Sequence, residues 1–233
     1  IAYGQGGANE SRSTSPVRIL LDWRLQTATP ITPQPAATRE ATAFDWTGID
    51  GTRLVDSNGR LVILRGFVTV PNSPGVTYDY TLDDYRHMRA LGANYQSIRL
   101  TVGAIGAWRG KPADPSYLAQ IDAMVQRGKQ AGLYANFKLT VYDIPNMEPS
   151  GWDAFWQNKN GEQDALINGW KFLWTRYKDE PAVIGYDLLN EPGMDSLKMS
   201  EHDFAKQYLI PFYQKAMDAL TQIDNRHLAM YQP

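Results

Sequence analysis

Short apolar segments alternate with longer amphipathic segments from residue 65 to residue 231, and this alternation restricts the fold more than any other feature. The apolar segments predict five strands, at residues 65–70, 95–101, 133–141, 182–189 and 227–231. The amphipathic segments predict four helices, at residues 80–91, 117–131, 163–177 and 204–223. Regular alternation of this kind is typical of right-handed βαβ units that build a parallel sheet.

Two parallel-sheet architectures fit this α/β pattern. A doubly wound fold predicts a glycine-rich phosphate loop after the first strand, and residues 68–75 do not form one. A (β/α)8 barrel of the TIM type is therefore favoured. A closed barrel has eight strands and eight helices. The five strands and four helices predicted here correspond to about its first half.

The chain divides into two predicted regions. Residues 1–44 are rich in Gly, Ser, Thr, Ala and Pro and form a partly ordered extension, either a short strand laid against the body or a partly disordered tail. Residues 45–233 form the partial barrel. An N-terminal β-hairpin precedes the barrel strands, because the turn signal at residues 56–59 lies between apolar runs at residues 52–55 and 60–64.

Composition argues against several functional classes. The net charge of −2 gives no basic surface for nucleic acid or for an anionic membrane. No apolar run reaches the ~18 residues that a membrane helix needs. Cysteine is absent, and the three histidines lack a metal-binding spacing, so neither a metal nor another cofactor is expected. The absence of cysteine fits a bacterial secreted protein as well as a cytosolic one, and a secreted or periplasmic location is the working expectation.

The fourth predicted strand ends in two polar residues, Asn190 and Glu191, which precede the breakers Pro192 and Gly193. The carboxyl ends of barrel strands form the rim where catalytic residues lie. A carboxylate at this rim, beside an amide that can hold a substrate hydroxyl, is a candidate general acid/base. The alternative is a surface acid without a chemical role.

The segment GYDLLNEP at residues 185–192 resembles the family-5 glycoside hydrolases, the cellulase-like clan of retaining β-glycosidases. The sequence SIRL at residues 97–100 and the hairpin at residues 51–66 support the resemblance, which covers residues 45–233. It implies hydrolysis of a β-glycosidic bond in a glucan, a mannan or a related glycoconjugate. It also implies that Glu191 is the acid/base and that Asn190 binds the sugar 2-hydroxyl.

The resemblance further implies that Arg99 lies low in the site and orients the nucleophile. Because side chains alternate along a strand, Arg99 is expected to point inward and to need a partner. An interior ion pair with Asp187 is the alternative to a catalytic role. The family's third strand commonly closes with an acid and a histidine, whereas Lys138 and Thr140 occupy those places here. This departure leaves the substrate open, and Lys138 is predicted to pair with Asp187.

Aromatic residues in the loops are candidate sugar platforms, since aromatic rings stack on the C–H faces of sugars. The candidates for substrate binding are Trp108, Tyr142, Trp152 and Trp156. Loop packing is an equally good interpretation of the tryptophans among them. Trp170 and Trp174 are four residues apart on a predicted helix, and this spacing favours a place in the core.

A retaining glycosidase needs two carboxyl groups about 5–5.5 Å apart. The family's nucleophile is a glutamate at the end of the seventh strand, beyond the five strands predicted here. Asp143 is the nearest other acid, and this chain is expected to be a weak or inactive catalyst. The alternative is an inactive half barrel that self-associates through its open edges and at most binds carbohydrate. Carbohydrate and a second copy of the chain are the expected partners.

Overall fold

A computed structural model describes residues 44–71, 79–107, 110–140, 151–194 and 197–232. Its strands are β1 (Thr47–Asp50), β2 (Arg53–Asp56), β3 (Gly66–Thr69), β4 (Tyr95–Thr101), β5 (Tyr134–Thr140), β6 (Val183–Asp187) and β7 (Leu228–Met230). Its α-helices are α1 (Leu82–Ala90), α2 (Val102–Ile105), α3 (Pro115–Ala131), α4 (Gly151–Trp156), α5 (Glu162–Tyr177), α6 (Glu201–Phe204) and α7 (Ile210–Thr221). A 3-10 turn, Lys159–Gly161, precedes α5, and a π-helical turn, Ala205–Leu209, joins α6 to α7.

The last five strands form one parallel sheet in the order β3-β4-β5-β6-β7. Each strand pairs with the next one along the chain, and helices connect them. This is the strand order of the first five βα units of a TIM barrel. The prediction of a partial barrel with an α/β pattern is therefore confirmed. No helix within the described ranges is long and apolar enough to cross a membrane.

Local signals in the sequence explain where the helices begin and end. Thr81 caps α1 through a capping box with Asp84, and Asp114 caps α3 by accepting from the amides of its first turn. Gly132 ends α3 in the left-handed conformation, which favours glycine because it lacks a Cβ atom. These signals fix the helix lengths and so set the spacing of the strands that follow.

The core lies between the outer face of the sheet and the helices. Ile98, Phe137 and Tyr186 from three adjacent strands are fully buried there. Trp170 and Trp174 of α5 stack on each other with ring centroids 5.9 Å apart, and both are fully buried, so their predicted place in the core is confirmed. The indole of Trp170 donates a hydrogen bond of 2.9 Å to the carbonyl of Leu188, which anchors α5 to the end of β6.

The hairpin prediction is right about the turn and wrong about the extent of the strands. The turn at residues 56–59 is present, and Val55 and Leu61 form an antiparallel bridge across it. A preceding strand, β1, pairs with β2 in a regular hairpin that the sequence pattern did not reveal. Helix α4 also lies in a stretch that was predicted to be a loop. Except for Phe44, the predicted extension at residues 1–44 lies outside the described residues.

The close approach of β6 to β7 at Gly185 gives a test of the sheet. A Cβ atom built on Gly185 would lie 2.3 Å from the backbone oxygen of Leu228. Since backbone cannot move aside cheaply, Gly185→Ala should lower the free energy of unfolding by about 1–3 kcal/mol in denaturant titrations. Gly48→Ala is the matched control, because a Cβ atom there meets nothing within 4 Å. Equal losses for the two variants would contradict the proposed close approach.

Candidate active site

The residues after β6 stay hydrogen-bonded to both neighbouring strands. The amide of Leu188 donates to the carbonyl of Met230 at 2.9 Å, and the amide of Asn190 donates to the carbonyl of Leu139 at 3.2 Å. Asn190 is only 3% exposed. The parallel ladder therefore places Asn190 at the rim and fixes its backbone.

Glu191 leaves this ladder abruptly. Its φ angle is +49°, a left-handed conformation that is uncommon for residues other than glycine. Such a conformation costs about 1 kcal/mol or more unless the surroundings hold it. Its amide donates a hydrogen bond of 3.0 Å to Oε1 of Gln232, and its side chain is exposed. The chain thus presents a carboxyl group to solvent at the carboxyl end of the sheet.

Two tryptophans of α4 hold the loop that follows Glu191. The indole nitrogen of Trp156 donates a hydrogen bond of 2.7 Å to the carbonyl of Gly193. The rings of Trp152 and Trp156 are nearly parallel, with centroids 5.6 Å apart, and Trp152 lies directly against Gly193. A Cβ atom on Gly193 would lie 2.3 Å from Nε1 of Trp152, so a larger residue at position 193 would displace the indole ring.

The aromatic residues predicted to bind sugar differ in how far the structure buries them. Trp156 is 4% exposed and packs edge-on against Phe155, Phe204 and Phe212, so its burial argues against a role as an open platform. Trp152 is half-buried and lies next to the loop after Glu191. Trp108 and Tyr142 lie outside the described residues, and their assignment stays a prediction.

A row of aligned side chains, three of them charged, crosses the inner face of the sheet. Arg99, Lys138, Asp187 and Met230 occupy matching positions on β4, β5, β6 and β7. The Nζ atom of Lys138 lies 3.8 Å from Oδ2 of Asp187, which confirms the predicted ion pair. The alternative pairing of Arg99 with Asp187 is wrong, and the side chain of Arg99 is exposed. Its predicted role in orienting a nucleophile stays a prediction.

Asp187 is buried and electrostatically unusual. The side-chain amide of Gln232 donates a hydrogen bond of 2.7 Å to Oδ2, while Oδ1 is buried without a hydrogen-bond partner among the described residues. Burial raises the pKa of Asp187 above its ordinary value, and the hydrogen bond from Gln232 and the charge of Lys138 only partly oppose this effect. Sequence reasoning missed Gln232, although its place directly after the fifth predicted strand was a usable signal.

The other glutamates of the described ranges and the buried histidine lie away from this rim. Of the glutamates in the described ranges, Glu162 and Glu201 begin helices and Glu180 precedes β6, so none except Glu191 follows the end of a strand. Asp143 lies outside the described residues. His227 bonds to Asp224 at 2.5 Å just before β7, at the amino end of the sheet. Thr140, at a place where a histidine is common in the family, is fully buried and donates to the carbonyl of Leu100.

Solved structures place the chain in the class of α/β barrels. The crystal structure of an endogalactoceramidase superposes with a TM-score of 0.70 at 24% identity, over 81% of this chain and 53% of that one. Endo-glycoceramidase II from Rhodococcus sp., in complex with a cellobiose-like imidazole, gives a TM-score of 0.65 at 21% identity, over 77% of this chain and 50% of that one. These likenesses show the fold.

The sequence comparison then defines the family. The profile of the cellulases, glycosyl hydrolase family 5, matches residues 55–232, and the chain belongs to this family. Endoglycoceramidase I of Rhodococcus hoagii (strain 103S) is 29% identical over 209 aligned residues, which cover 74% of this chain and 42% of that protein. The chain thus spans about half the length of the relatives that it matches.

The raised pKa of Asp187 predicts a pH dependence of stability. The native pKa of Asp187 lies above its unfolded value of 3.8. Asp187 therefore stabilises the folded protein at pH values below 3.8, and this contribution is lost as the pH rises through the native pKa. Asp187→Asn removes this effect. The free energy of unfolding of the variant minus that of the wild type should therefore increase with pH across this window in denaturant titrations at several pH values.

The control for this prediction is Asp218→Asn, which removes a carboxylate from an exposed position on α7. Subtracting its pH profile corrects for the general loss of one negative charge. A difference for Asp187→Asn that stays flat or decreases with pH would show that the native pKa is not raised.

Proposed function

We propose that this chain forms the acid/base half of a retaining glycoside hydrolase that cleaves β-glycosidic bonds. One observation supports the proposal more than any other: the strand-end pair Asn190–Glu191 lies at the rim of a family-5 barrel sheet, with Asn190 buried and Glu191 turned toward solvent. In this proposal Glu191 protonates the glycosidic oxygen and later removes a proton from the attacking water. The amide of Asn190 binds the sugar 2-hydroxyl.

The second carboxylate is the limiting feature of this proposal. A double displacement needs a nucleophile about 5–5.5 Å from the acid/base. In the part of the chain that the structure describes, Glu191 has no second strand-end glutamate beside it. We therefore propose that the chain by itself is a weak or inactive catalyst that retains a sugar-binding rim.

The proposed substrate is a β-linked glycan in a glycoconjugate, and a glycosylceramide is the first choice. The likeness to an endoglycoceramidase over most of this chain supports it. Glucan and mannan polysaccharides are the other members of the proposed class, and a relative named endoglucanase is 31% identical over 72 residues. A secreted or periplasmic location fits such substrates and stays a prediction.

The test combines sugar binding with a sensitive hydrolysis assay. Lactose added to the ¹⁵N-labelled chain should shift the amide signals of Asn190 and Glu191. Any hydrolysis of lactosylceramide or of an aryl β-lactoside above the blank should fall by about 10²–10⁴-fold in Glu191→Gln, because the acid/base is lost. Glu201→Gln, at an exposed helix start, is the matched control and should leave both readouts unchanged.

Two results would overturn the proposal. Hydrolysis that survives Glu191→Gln at the wild-type rate would exclude Glu191 as the acid/base. Sugar-induced shifts that avoid both Asn190 and Glu191 would exclude this rim as the binding site. A chain that binds lactose at the rim without turnover supports the proposed role of a weak or inactive half.

The second candidate is a self-associating half barrel that at most binds carbohydrate. The edge strand β3 supports this candidate, because Phe67 and Val68 are 41% and 56% exposed on its two faces. Unpaired strand edges with exposed apolar side chains promote association, and a second copy of the chain offers a matching edge.

A solution mass tests this candidate. Sedimentation of the wild-type chain should show a dimer that dissociates on dilution, and Val68→Lys should shift the equilibrium toward monomer by placing a charge at the edge strand. Leu91→Lys is the control, since Leu91 is 79% exposed but lies outside the sheet. A chain that is monomeric at every concentration would exclude the self-association.

A further inference from the structure

The side-chain amide of Gln232 connects the two acidic residues of the β6 rim. Its Nε2 atom donates to Oδ2 of Asp187 at 2.7 Å, and its Oε1 atom accepts from the amide of Glu191 at 3.0 Å. Lys138 continues the line on the far side of Asp187, at 3.8 Å from the same carboxylate oxygen. A continuous path of polar contacts therefore runs from Lys138 to the backbone of Glu191.

The chemistry of the groups fixes the orientation of this amide. An ionised carboxylate only accepts hydrogen bonds, so the NH₂ group of Gln232 must face Asp187. The carbonyl oxygen then faces the backbone N–H of Glu191, which needs an acceptor. An amide of this length supplies a donor at one end and an acceptor at the other at every pH, whereas an ionised carboxylate at position 232 lacks the donor and an alkyl chain lacks both.

Tyr213 of α7 fixes the backbone of Gln232. The phenol of Tyr213 donates a hydrogen bond of 2.8 Å to the backbone carbonyl of Gln232. It also accepts a hydrogen bond of 3.2 Å from the backbone N–H of Gln232. Burial raises the pKa of Tyr213 to about 12, so the phenol keeps its proton at neutral pH and remains a donor. The helix that follows β6 thus holds in place the residue that reaches back to Glu191.

The contact matters because the backbone of Glu191 is strained. A glutamate keeps a left-handed backbone conformation only where its surroundings hold it. The hydrogen bond from the Glu191 backbone N–H to Gln232 restrains the residue whose φ angle is strained. We propose that Gln232 is a positioning residue that holds Glu191 in its left-handed conformation and so aims the carboxyl group at the substrate. The positioning of an acid/base rests on the proposed function, whereas the structural constraint does not.

The first test measures the amide of Glu191 directly. In Gln232→Met, which keeps the length of the side chain and removes both hydrogen bonds, hydrogen exchange at the Glu191 amide should accelerate by about five- to tenfold, as expected for one lost hydrogen bond. The amides of β5 should keep their exchange rates. Gln222→Met, at an exposed position after α7, is the matched control and should leave the Glu191 amide unchanged.

The second test uses Gln232→Glu and pH. The introduced carboxyl group shares this site with Asp187, Lys138, Glu191, Tyr95 and Tyr213. At acidic pH a protonated carboxyl at position 232 donates to Asp187 and accepts from Glu191, as the native amide does. At neutral pH two carboxylates face each other and repel. The Glu191 amide signal of this variant should therefore match that of the wild type at low pH and move away from it as the pH rises, in a transition additional to the one that Asp187 gives in both proteins.

The outcomes separate positioning from function. Wild-type exchange at Glu191 in Gln232→Met would overturn the proposal. If that variant fails to fold, the pH titration of Gln232→Glu decides, and a signal that never returns to the wild-type position at low pH would overturn it. Neither readout requires turnover. If both tests succeed while Glu191→Gln leaves sugar binding and hydrolysis unchanged, the proposed function fails and the structural constraint stands.

Discussion

Hydrogen bonding of β6 on both of its edges is the constraint on which the candidate site depends. Its neighbours are β5 and β7, and the ladder continues past the last strand residue through the amides of Leu188 and Asn190. A strand held on both sides cannot slip by one residue without moving its side chains to the opposite face. The side-chain positions of Asp187 and Asn190 are therefore determined by the sheet, and only Glu191 depends on the loop.

The polar row on the inner face follows from the same register. A charged group on a sheet face is costly to bury unless it is paired, and Lys138 and Asp187 meet because β5 and β6 align them. The pair is not fully satisfied, since one oxygen of Asp187 is buried without a hydrogen bond among the described residues. Gln232 compensates in part, and it links this interior charge to the strained turn at the rim.

The sequence predicted the parts of the fold that have strong periodicity, and it predicted that Asn190 and Glu191 lie where the fourth barrel strand ends. The parallel strands and the helices with clear caps, such as α3 with Asp114 and Gly132, were predictable because local signals and packing agree there. Helix α4 was not predicted, because its aromatic residues are as compatible with a sugar-binding loop as with a helix packed on the core. The strand-end position of Gln232 was visible in the sequence, but its role was not predictable, because it depends on a contact with Asp187, which lies 45 residues earlier in the chain.

The two ends of the sheet differ in how their polar groups are satisfied. At the amino end, His227 is buried against Asp224 and the carbonyl of Glu180, and the hydroxyl of Tyr186 donates to the same Asp224 carboxylate at 3.0 Å. This cluster satisfies its polar groups internally and joins β6 to β7. At the carboxyl end, by contrast, Glu191 is left-handed and exposed. In α/β barrels the amino end contributes stability and the carboxyl end contributes chemistry. The left-handed Glu191 thus lies at the end of the sheet that carries the chemistry in such barrels, on a strand whose opposite end is joined to β7 by a buried polar cluster.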